Sequence, residues 1–132
     1  MTGEPILAVD DTPANLKLVR VLLTQRGYEV RTAADAVEAL ALLETFQPRL
    51  ILMDIQLPGM DGLALTRQLK ASLATSNIVV VALTSYAMKG DAERAYAAGC
   101  DGYIAKPIDT RTFADVIARH LEAGPRRGQA KS

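Results

Sequence analysis

Four charged residues of this chain directly follow short apolar segments. Asp10 and Asp11 come after the first such segment, Asp54 comes after the third and Lys106 comes after the fifth. Clustered carboxylates repel one another, and a cation relieves that repulsion. Oxygen ligands without histidine or cysteine favour Mg²⁺, which commonly shares its shell with a phosphate. These residues therefore predict a Mg²⁺ and phosphoryl site, in which three carboxylates, one Mg²⁺ ion and one lysine have charges that sum to zero.

Asp54 is the candidate nucleophile of this site, because aspartate can form an acyl phosphate. Phosphoryl transfer requires mainly that groups be positioned and that charge on the equatorial oxygens be neutralised. The Lys106 ammonium and the Thr84 hydroxyl can make such contacts, while Asp10 and Asp11 hold the metal. Each residue also has an ordinary alternative: the aspartates could cap a helix or a loop, and Thr84 could be a turn residue.

These residues can act together only if the fold brings them to one place. Apolar segments predict strands at 5–9, 29–32, 50–53, 78–83 and 102–105, and helical patterns follow each of them. This alternation predicts an α/β fold with a five-stranded parallel sheet that is doubly wound by five helices. The carboxyl ends of the strands then share one edge, where sheets of this kind bind ligands.

Helix boundaries are predicted from capping residues, proline and glycine. Asp35 and Glu38, three residues apart, resemble a capping box, and Pro13 suits a first helical turn. Single aspartates are predicted to cap two further helices. The predicted helices are 13–26 after Thr12, 35–46 with the Asp35 cap, a third after Asp61 with Leu65 and Leu69 inward, 87–98, and a fifth after Asp109 that ends before Gly124.

Length and composition limit the kind of protein. The 132 residues suffice for one domain, predicted at 1–123, with a flexible polar tail at 124–132. A formal net charge of zero argues against a broad nucleic-acid or membrane-binding surface. The single Cys100 cannot pair within the chain, which fits a reducing, cytoplasmic location, and it is expected to fill space in the core. No apolar segment approaches the length of a membrane span.

The order of these motifs resembles the receiver domain of two-component response regulators, over residues 5–123. The matching residues are the Asp10-Asp11 pair, Asp54 ahead of Pro58 and Gly62, Thr84, and Tyr103 ahead of Lys106-Pro107. Segments 53–58 and 87–91 further resemble stand-alone cell-division regulators of the DivK type and receiver domains of hybrid kinases. The resemblance implies a flavodoxin-like, CheY-like fold with strand order 2-1-3-4-5.

Residue by residue, the resemblance implies that Asp54 is the phospho-acceptor. Asp10, Asp11 and the backbone carbonyl of Gln56 would bind Mg²⁺ together with Asp54, partly through water. Lys106 would contact the phosphoryl group directly.

The resemblance also implies a cis peptide bond between Lys106 and Pro107 and a switch formed by Thr84 and Tyr103. Thr84 would move toward the phosphoryl oxygens, and Tyr103 would turn into the space that it leaves. The surface formed by the fourth helix, the fifth strand and the fifth helix would change shape as a result. Core packing is the alternative role for Tyr103.

Other positions are expected to affect phosphate lifetime and partner binding. Gln56 and Tyr86 flank the path of a hydrolytic water and are predicted to tune the lifetime of the acyl phosphate. Leu16 and Leu23 are either core residues or part of a docking surface for a helical phosphodonor. His120 is predicted to be a solvent-exposed helix residue. The remaining positions expected to dock a partner are Ala14, Asn15, Leu18 and Pro107.

The pattern as a whole predicts a phosphorylation-dependent signalling module of a two-component phosphorelay. It would accept a phosphoryl group on Asp54 from a histidine kinase or a histidine phosphotransfer protein, and it would catalyse only its own phosphorylation and dephosphorylation. Its output would be an altered contact with an unknown downstream protein or a phosphorylation-dependent homodimer. It is expected to bind neither nucleic acid nor membranes.

Three alternatives are consistent with part of the pattern. The chain could be a receiver segment of a hybrid histidine kinase, although Met1 and the short basic tail favour a single-domain regulator. A metal-dependent phosphatase of the dehalogenase-like type would carry its second acid two residues after the nucleophile, whereas Asp10 and Asp11 are adjacent. In an FMN-binding electron carrier, these two acids would repel the flavin phosphate.

Overall fold

The computed structural model of this chain describes residues 4–55, 62–84 and 90–125. Within these residues, strands and helices alternate along the chain. Their order is β1 (Pro5–Val9), α1 (Pro13–Thr24), β2 (Glu29–Ala33), α2 (Ala36–Leu43), β3 (Leu50–Asp54), α3 (Gly62–Ala71), β4 (Val79–Thr84), α4 (Asp91–Ala97), β5 (Gly102–Ala105) and α5 (Phe113–Ala123).

The strands form one sheet in the order β2-β1-β3-β4-β5, and every neighbouring pair is parallel. This arrangement confirms the predicted fold class and strand order. β1 and β3 are neighbours in the sheet, with Val9 opposite Met53. The residues that follow these two strands therefore start from adjacent positions at the carboxyl edge of the sheet.

Both faces of the sheet are covered, which explains why the central strands are continuous apolar runs. Because side chains alternate along a strand, Leu7 and Val9 point to one face while Ile6 and Ala8 point to the other. The first face packs against buried residues of α2, α3 and α4, and the second against buried residues of α1 and α5. The helix residues in these two clusters are Ala36, Ala39, Leu63, Leu65, Leu69 and Ala95 on the first face, and Val19, Leu23, Phe113, Ala114, Ile117 and Leu121 on the second.

The predicted capping box at the start of α2 is present with one difference. The Asp35 carboxylate accepts a hydrogen bond from the Glu38 backbone N–H at 2.9 Å. The Glu38 carboxylate accepts from the backbone N–H of Ala34 at 2.7 Å, one residue before the cap. Each contact satisfies a backbone donor near the helix start that has no partner within the helix.

Two predicted helices are too long at their carboxyl ends. The helices predicted to reach residues 26 and 46 end at Thr24 and Leu43. After α1, the Gly27 N–H donates to the Thr24 carbonyl at 3.0 Å, and Gly27 adopts a φ of 90°. This hydrogen bond and the positive φ belong to a tight turn that reverses the chain. The helical pattern of the side chains does not reveal such a turn.

The predicted cap of the fifth helix is wrong. α5 begins at Phe113, with Thr112 at the N-cap position. Asp109 instead stabilises the preceding turn, since its carboxylate accepts from the Arg111 N–H at 3.0 Å. The predicted cap Asp61 and the predicted helical residues 87–89 lie outside the described part of the chain.

The structure decides between the two interpretations of Leu23 and corrects one surface assignment. Leu23 is fully buried at 0% exposure, which supports the core alternative, and half-buried Leu16 packs against the same cluster. The prediction that His120 is exposed to solvent is wrong. His120 is half-buried, because its ring lies against Gly102 of β5. A β-carbon at position 102 would come within 2.8 Å of His120 Nδ1. The absence of a side chain at Gly102 makes room for the imidazole.

Candidate functional site

The carboxyl ends of β1 and β3 hold the two buried aspartates of the site. The Asp10 N–H donates to the Ala33 carbonyl at 3.1 Å, which extends the pairing of β1 with β2 by one residue. Asp54 is the last residue of β3 and lies opposite Leu83 of β4. Asp10 is 2% exposed and Asp54 is 4% exposed. The backbones of both residues are therefore held in position by the sheet.

Asp11 completes a cluster of three carboxylates. One oxygen each from Asp10, Asp11 and Asp54 lies within 4.8 Å of the others, and Asp11 is exposed. Such a cluster contains only hard oxygen donors, and its two buried members require a compensating cation. The donor set and the exposed third carboxylate fit Mg²⁺, which keeps part of its water shell and binds through few protein ligands.

Lys106 supplies positive charge to this cluster from the end of β5. Its Nζ lies 3.0 Å from Asp10 Oδ2 and 3.4 Å from Asp54 Oδ2. Burial by itself lowers the pKa of Lys106, but the hydrogen bond and charge of Asp10, followed by those of Asp54, outweigh it and leave the pKa raised. The ammonium therefore stays protonated between two buried carboxylates.

The backbone of Lys106 is also held in place, through a hydrogen bond to the end of β4. Its N–H donates to the Thr84 carbonyl at 2.7 Å, and its peptide bond to Pro107 is cis. Thr84 is the last residue of β4 and is fully buried, opposite Ala105 of β5. The hydroxyl-bearing strand end and the lysine are thus joined directly at the same edge of the sheet.

Two further groups hold the Asp10 carboxylate, and one of them is a site contact that the sequence reasoning missed. The Thr12 backbone N–H donates to Asp10 Oδ1 at 2.9 Å, and the Asn15 side-chain amide donates to Asp10 Oδ2 at 3.2 Å. The sequence predicts only partner docking for Asn15. Its position in the first turn of a helix that starts directly after the acidic pair is the signal that could have identified this contact.

A glycine behind Asp54 allows α3 to begin close to the site. A β-carbon at position 62 would lie 2.8 Å from the Cα of Ile55 and closer still to the backbone oxygen of Asp54. The Gly62 N–H donates to the Ile55 carbonyl at 3.2 Å. Only a residue without a side chain fits here, so the start of α3 helps to fix the end of β3.

The remaining predicted site residues are those of the switch, of partner docking and of phosphate lifetime, and they lie in different parts of the chain. Half-buried Tyr103, on β5, packs against the cluster formed with α2, α3 and α4. Ala14 and Pro107 are exposed, and Leu18 is half-buried. The two residues predicted to tune the acyl-phosphate lifetime, Gln56 and Tyr86, lie outside the described residues, as does the predicted carbonyl ligand of Gln56.

Two further observations concern the single cysteine and the lengths of the helices. Buried Cys100 is a free thiol, and burial raises its pKa to about 11, so it is the packing residue that the sequence predicted. Across residues 4–55, 62–84 and 90–125, every helix falls short of the length and apolar character needed to cross a membrane.

Comparison with known proteins gives the same family from sequence and from structure. The family model of the response regulator receiver domain matches residues 6–118. The polar-differentiation response regulator DivK of Brucella anthropi is 43% identical over 116 residues, which cover 88% of this chain and 94% of the relative. The DivK proteins of Brucella ovis and Brucella abortus show the same identity and coverage.

Solved structures agree with this result. The chemotaxis response regulator CheY4 of Vibrio cholerae superposes with a TM-score of 0.84 at 28% identity, covering 90% of this chain and 99% of that one. The signal receiver domain of a signal transduction histidine kinase from Syntrophus aciditrophicus has a TM-score of 0.83 at 31% identity and covers 92% of both chains. Together with the carboxylate cluster and the lysine at the sheet edge, these similarities show one result: the chain belongs to the response regulator receiver domain family of two-component signalling.

Proposed function

We propose that this chain is a phosphorylation-dependent signalling module that accepts a phosphoryl group on Asp54 from a phosphohistidine. The observation that carries the proposal is the position of the Lys106 ammonium, which lies between the carboxylates of Asp10 and Asp54 inside the acidic cluster. A lysine in this place can neutralise negative charge on an incoming phosphoryl group while the aspartate reacts.

The proposed reaction is a phosphoryl transfer. An oxygen of Asp54 forms a bond to phosphorus, and the phosphorus–nitrogen bond of the donor phosphohistidine breaks. The donor imidazole keeps the electron pair of that bond and takes up a proton. Lys106 and the hydroxyl of Thr84 would contact the oxygens of the transferred group.

Asp10, Asp11 and Asp54 would hold Mg²⁺, with the backbone carbonyl of Gln56 as a further ligand. When bound, the ion supplies positive charge that offsets repulsion between the carboxylates and the phosphoryl oxygens. Gln56 and Tyr86 would tune the lifetime of the acyl phosphate.

The proposed output is a change in protein contacts. Thr84 and Tyr103 would act as the switch that alters the surface of α4, β5 and α5. A histidine kinase or a histidine phosphotransfer protein would be the donor, docking near Ala14, Asn15, Leu18 and Pro107. An unidentified downstream protein, or a second copy of the chain, would read the change.

Two similarities bear on whether the module is a DivK-type regulator or the receiver of a hybrid kinase. The similarity to DivK over 94% of that relative's length favours a DivK-type regulator. The similarity to the receiver domain of a histidine kinase supports a hybrid-kinase receiver as the second candidate. Membership of the receiver family argues against the phosphatase and the flavin carrier.

Intact mass measurement tests the proposal. The wild type, Asp54→Asn and Asp115→Asn are each incubated with Mg²⁺ and acetyl phosphate. Asp115 is a suitable control because it is an exposed aspartate of α5, paired with Arg26. The wild type and Asp115→Asn should gain one phosphoryl group that Asp54→Asn lacks. An unmodified wild type, or equal labelling of all three proteins, would show that the proposal is wrong.

A further inference from the structure

The Asp10 carboxylate is held by donors from three separate parts of the chain. The Thr12 N–H in the turn after β1 donates to Oδ1 at 2.9 Å. The Asn15 amide on α1 donates to Oδ2 at 3.2 Å, and the Lys106 ammonium lies 3.0 Å from the same oxygen. Asp10 is 2% exposed, so these protein groups replace most of the water that would otherwise surround its carboxylate.

The lone pairs of the two oxygens are used unequally. A carboxylate offers about four acceptor positions, two on each oxygen. Asn15 and Lys106 together account for both positions on Oδ2, while Thr12 accounts for one on Oδ1. Among the contacts with described residues, the remaining acceptor position of Asp10 is therefore on Oδ1, and the carboxylate cannot rotate without breaking at least one of these bonds.

Asn15 is the neutral side-chain donor of the three, whereas Lys106 carries a positive charge and Thr12 donates through its backbone. The Asn15 amide therefore orients Asp10 without adding a cation that would compete with a metal. Its backbone N–H donates to the Thr12 carbonyl at 3.0 Å, which fixes the residue at the first turn of α1 while its side chain reaches back to Asp10. An amide held in this way is pre-set to orient the carboxylate.

We propose that Asn15 is a positioning residue for the metal site, whose side-chain amide holds Asp10 in the orientation that binds Mg²⁺. The inference rests on the Mg²⁺ site of the proposed function and assigns to α1 a part in forming that site. Partners of this kind, which bind a metal ligand and not the metal, commonly change metal affinity by 10- to 100-fold when they are removed.

Calorimetric titration with Mg²⁺ alone, without a phosphodonor, tests the inference on the full chain. Asn15→Ala removes the amide, and Asn15→Leu removes it while keeping similar volume. Gln25→Ala is the matched control, because it removes an exposed amide at the far end of α1. Both Asn15 variants should raise the Kd for Mg²⁺ by about 10-fold or more, while Gln25→Ala should leave it unchanged.

Two results would overturn the inference. One is an unchanged Kd in both Asn15 variants. The other is a loss of affinity in Asn15→Ala but not in Asn15→Leu, which would make packing responsible. Addition of Mg²⁺ to the wild type should also shift the side-chain amide resonances of Asn15 but not those of Gln25. This measurement needs no substitution, so it remains decisive if the variants fold poorly, and an unshifted Asn15 amide would contradict the proposal.

The outcomes separate this inference from the proposed function. If the wild type binds Mg²⁺ and the Asn15 variants bind it weakly, but Asp54 is never phosphorylated, Asn15 keeps its role and the proposed function fails. If Asp54 is phosphorylated and the Asn15 variants bind Mg²⁺ normally, the function stands and the role of Asn15 is wrong. A wild type that binds no Mg²⁺ would overturn the role of Asn15 and the metal part of the proposed function.

Discussion

Gly62 lies directly against the backbone of Asp54, so that any β-carbon at position 62 would overlap the backbone oxygen of Asp54. The contact joins the first residue of α3 to the last residue of β3. The position of Asp54, the proposed phospho-acceptor, therefore depends on the absence of a side chain at Gly62.

The substitution Gly62→Ala should therefore destabilise the protein through overlap. Overpacking in a buried place commonly costs about 1–3 kcal/mol, and the upper part of that range is expected because backbone atoms of Asp54 and Ile55 would have to move. Chemical denaturation measures the loss. Gly90→Ala is the control, since Gly90 has a φ of 99° and open space around it, so only backbone strain is added there. A smaller loss at position 62 than at position 90 would contradict the prediction.

Replacing Lys106 should destabilise the protein in a way that Mg²⁺ reverses. Lys106→Met removes the ammonium that lies beside the buried carboxylates of Asp10 and Asp54, and breaking a buried pair is strongly destabilising. Because Mg²⁺ can supply the missing positive charge, the loss of unfolding free energy should shrink as Mg²⁺ is added. Denaturant titrations with and without Mg²⁺ give this difference.

A second half-buried lysine, Lys70, offers the matched control. Lys70 Nζ lies 2.8 Å from Asp101 Oδ2 and also donates to the carbonyls of Ser76 and Ile78. Lys70→Met should destabilise the protein equally with and without Mg²⁺, because Asp101 lies outside the acidic cluster. If Mg²⁺ restores both variants or neither, the interpretation of Lys106 is wrong.

Removing the exposed acid of the cluster should have opposite effects on stability and on metal binding. Asp11→Asn removes repulsion between Asp11 and the buried carboxylates, so the thermal midpoint without Mg²⁺ should rise. The further rise that Mg²⁺ causes in the wild type should diminish, since one proposed ligand is lost. Thermal unfolding measures both quantities, and Asp115→Asn should show neither effect. A lower midpoint for Asp11→Asn without Mg²⁺ would refute the repulsion argument.

His120 should make stability depend on pH in the mildly acidic range. Burial lowers the pKa of His120, Arg119 lowers it further, and the opposing effect of Asp101 is smaller. The unfolded chain, with a pKa near 6.5, therefore binds a proton more readily than the folded chain. The contribution of neutral His120 is complete above that value and is lost as the pH falls through the lowered folded-state pKa.

A comparison of the wild type with His120→Gln isolates this contribution, because the other titrating groups are common to both. The unfolding free energy of the wild type should fall more between pH 7.5 and pH 5 than that of the variant, as measured by denaturant titration. Parallel curves would show that the contact between His120 and Gly102 has no part in the pH dependence.

Local patterns in the sequence were enough to predict the elements and the sheet edge of this protein. Buried parallel strands are short and continuously apolar, and in a parallel sheet their carboxyl ends must share an edge. Asp10, Asp54 and Lys106 were therefore identifiable as neighbours although they are far apart in the chain. The cap at Asp35 was equally predictable, because it depends on residues only three positions apart.

Only the tertiary structure decided the contacts between elements. Helical periodicity is compatible with either a buried or a half-exposed Leu23, and it does not show that the Asn15 amide turns back to Asp10. The contact of His120 with Gly102 depends on the distance between α5 and β5, and the overlap at Gly62 depends on the path of β3. Such contacts are set by the packing of complete elements, whose spacing results from all the buried side chains together and not from any short segment of sequence.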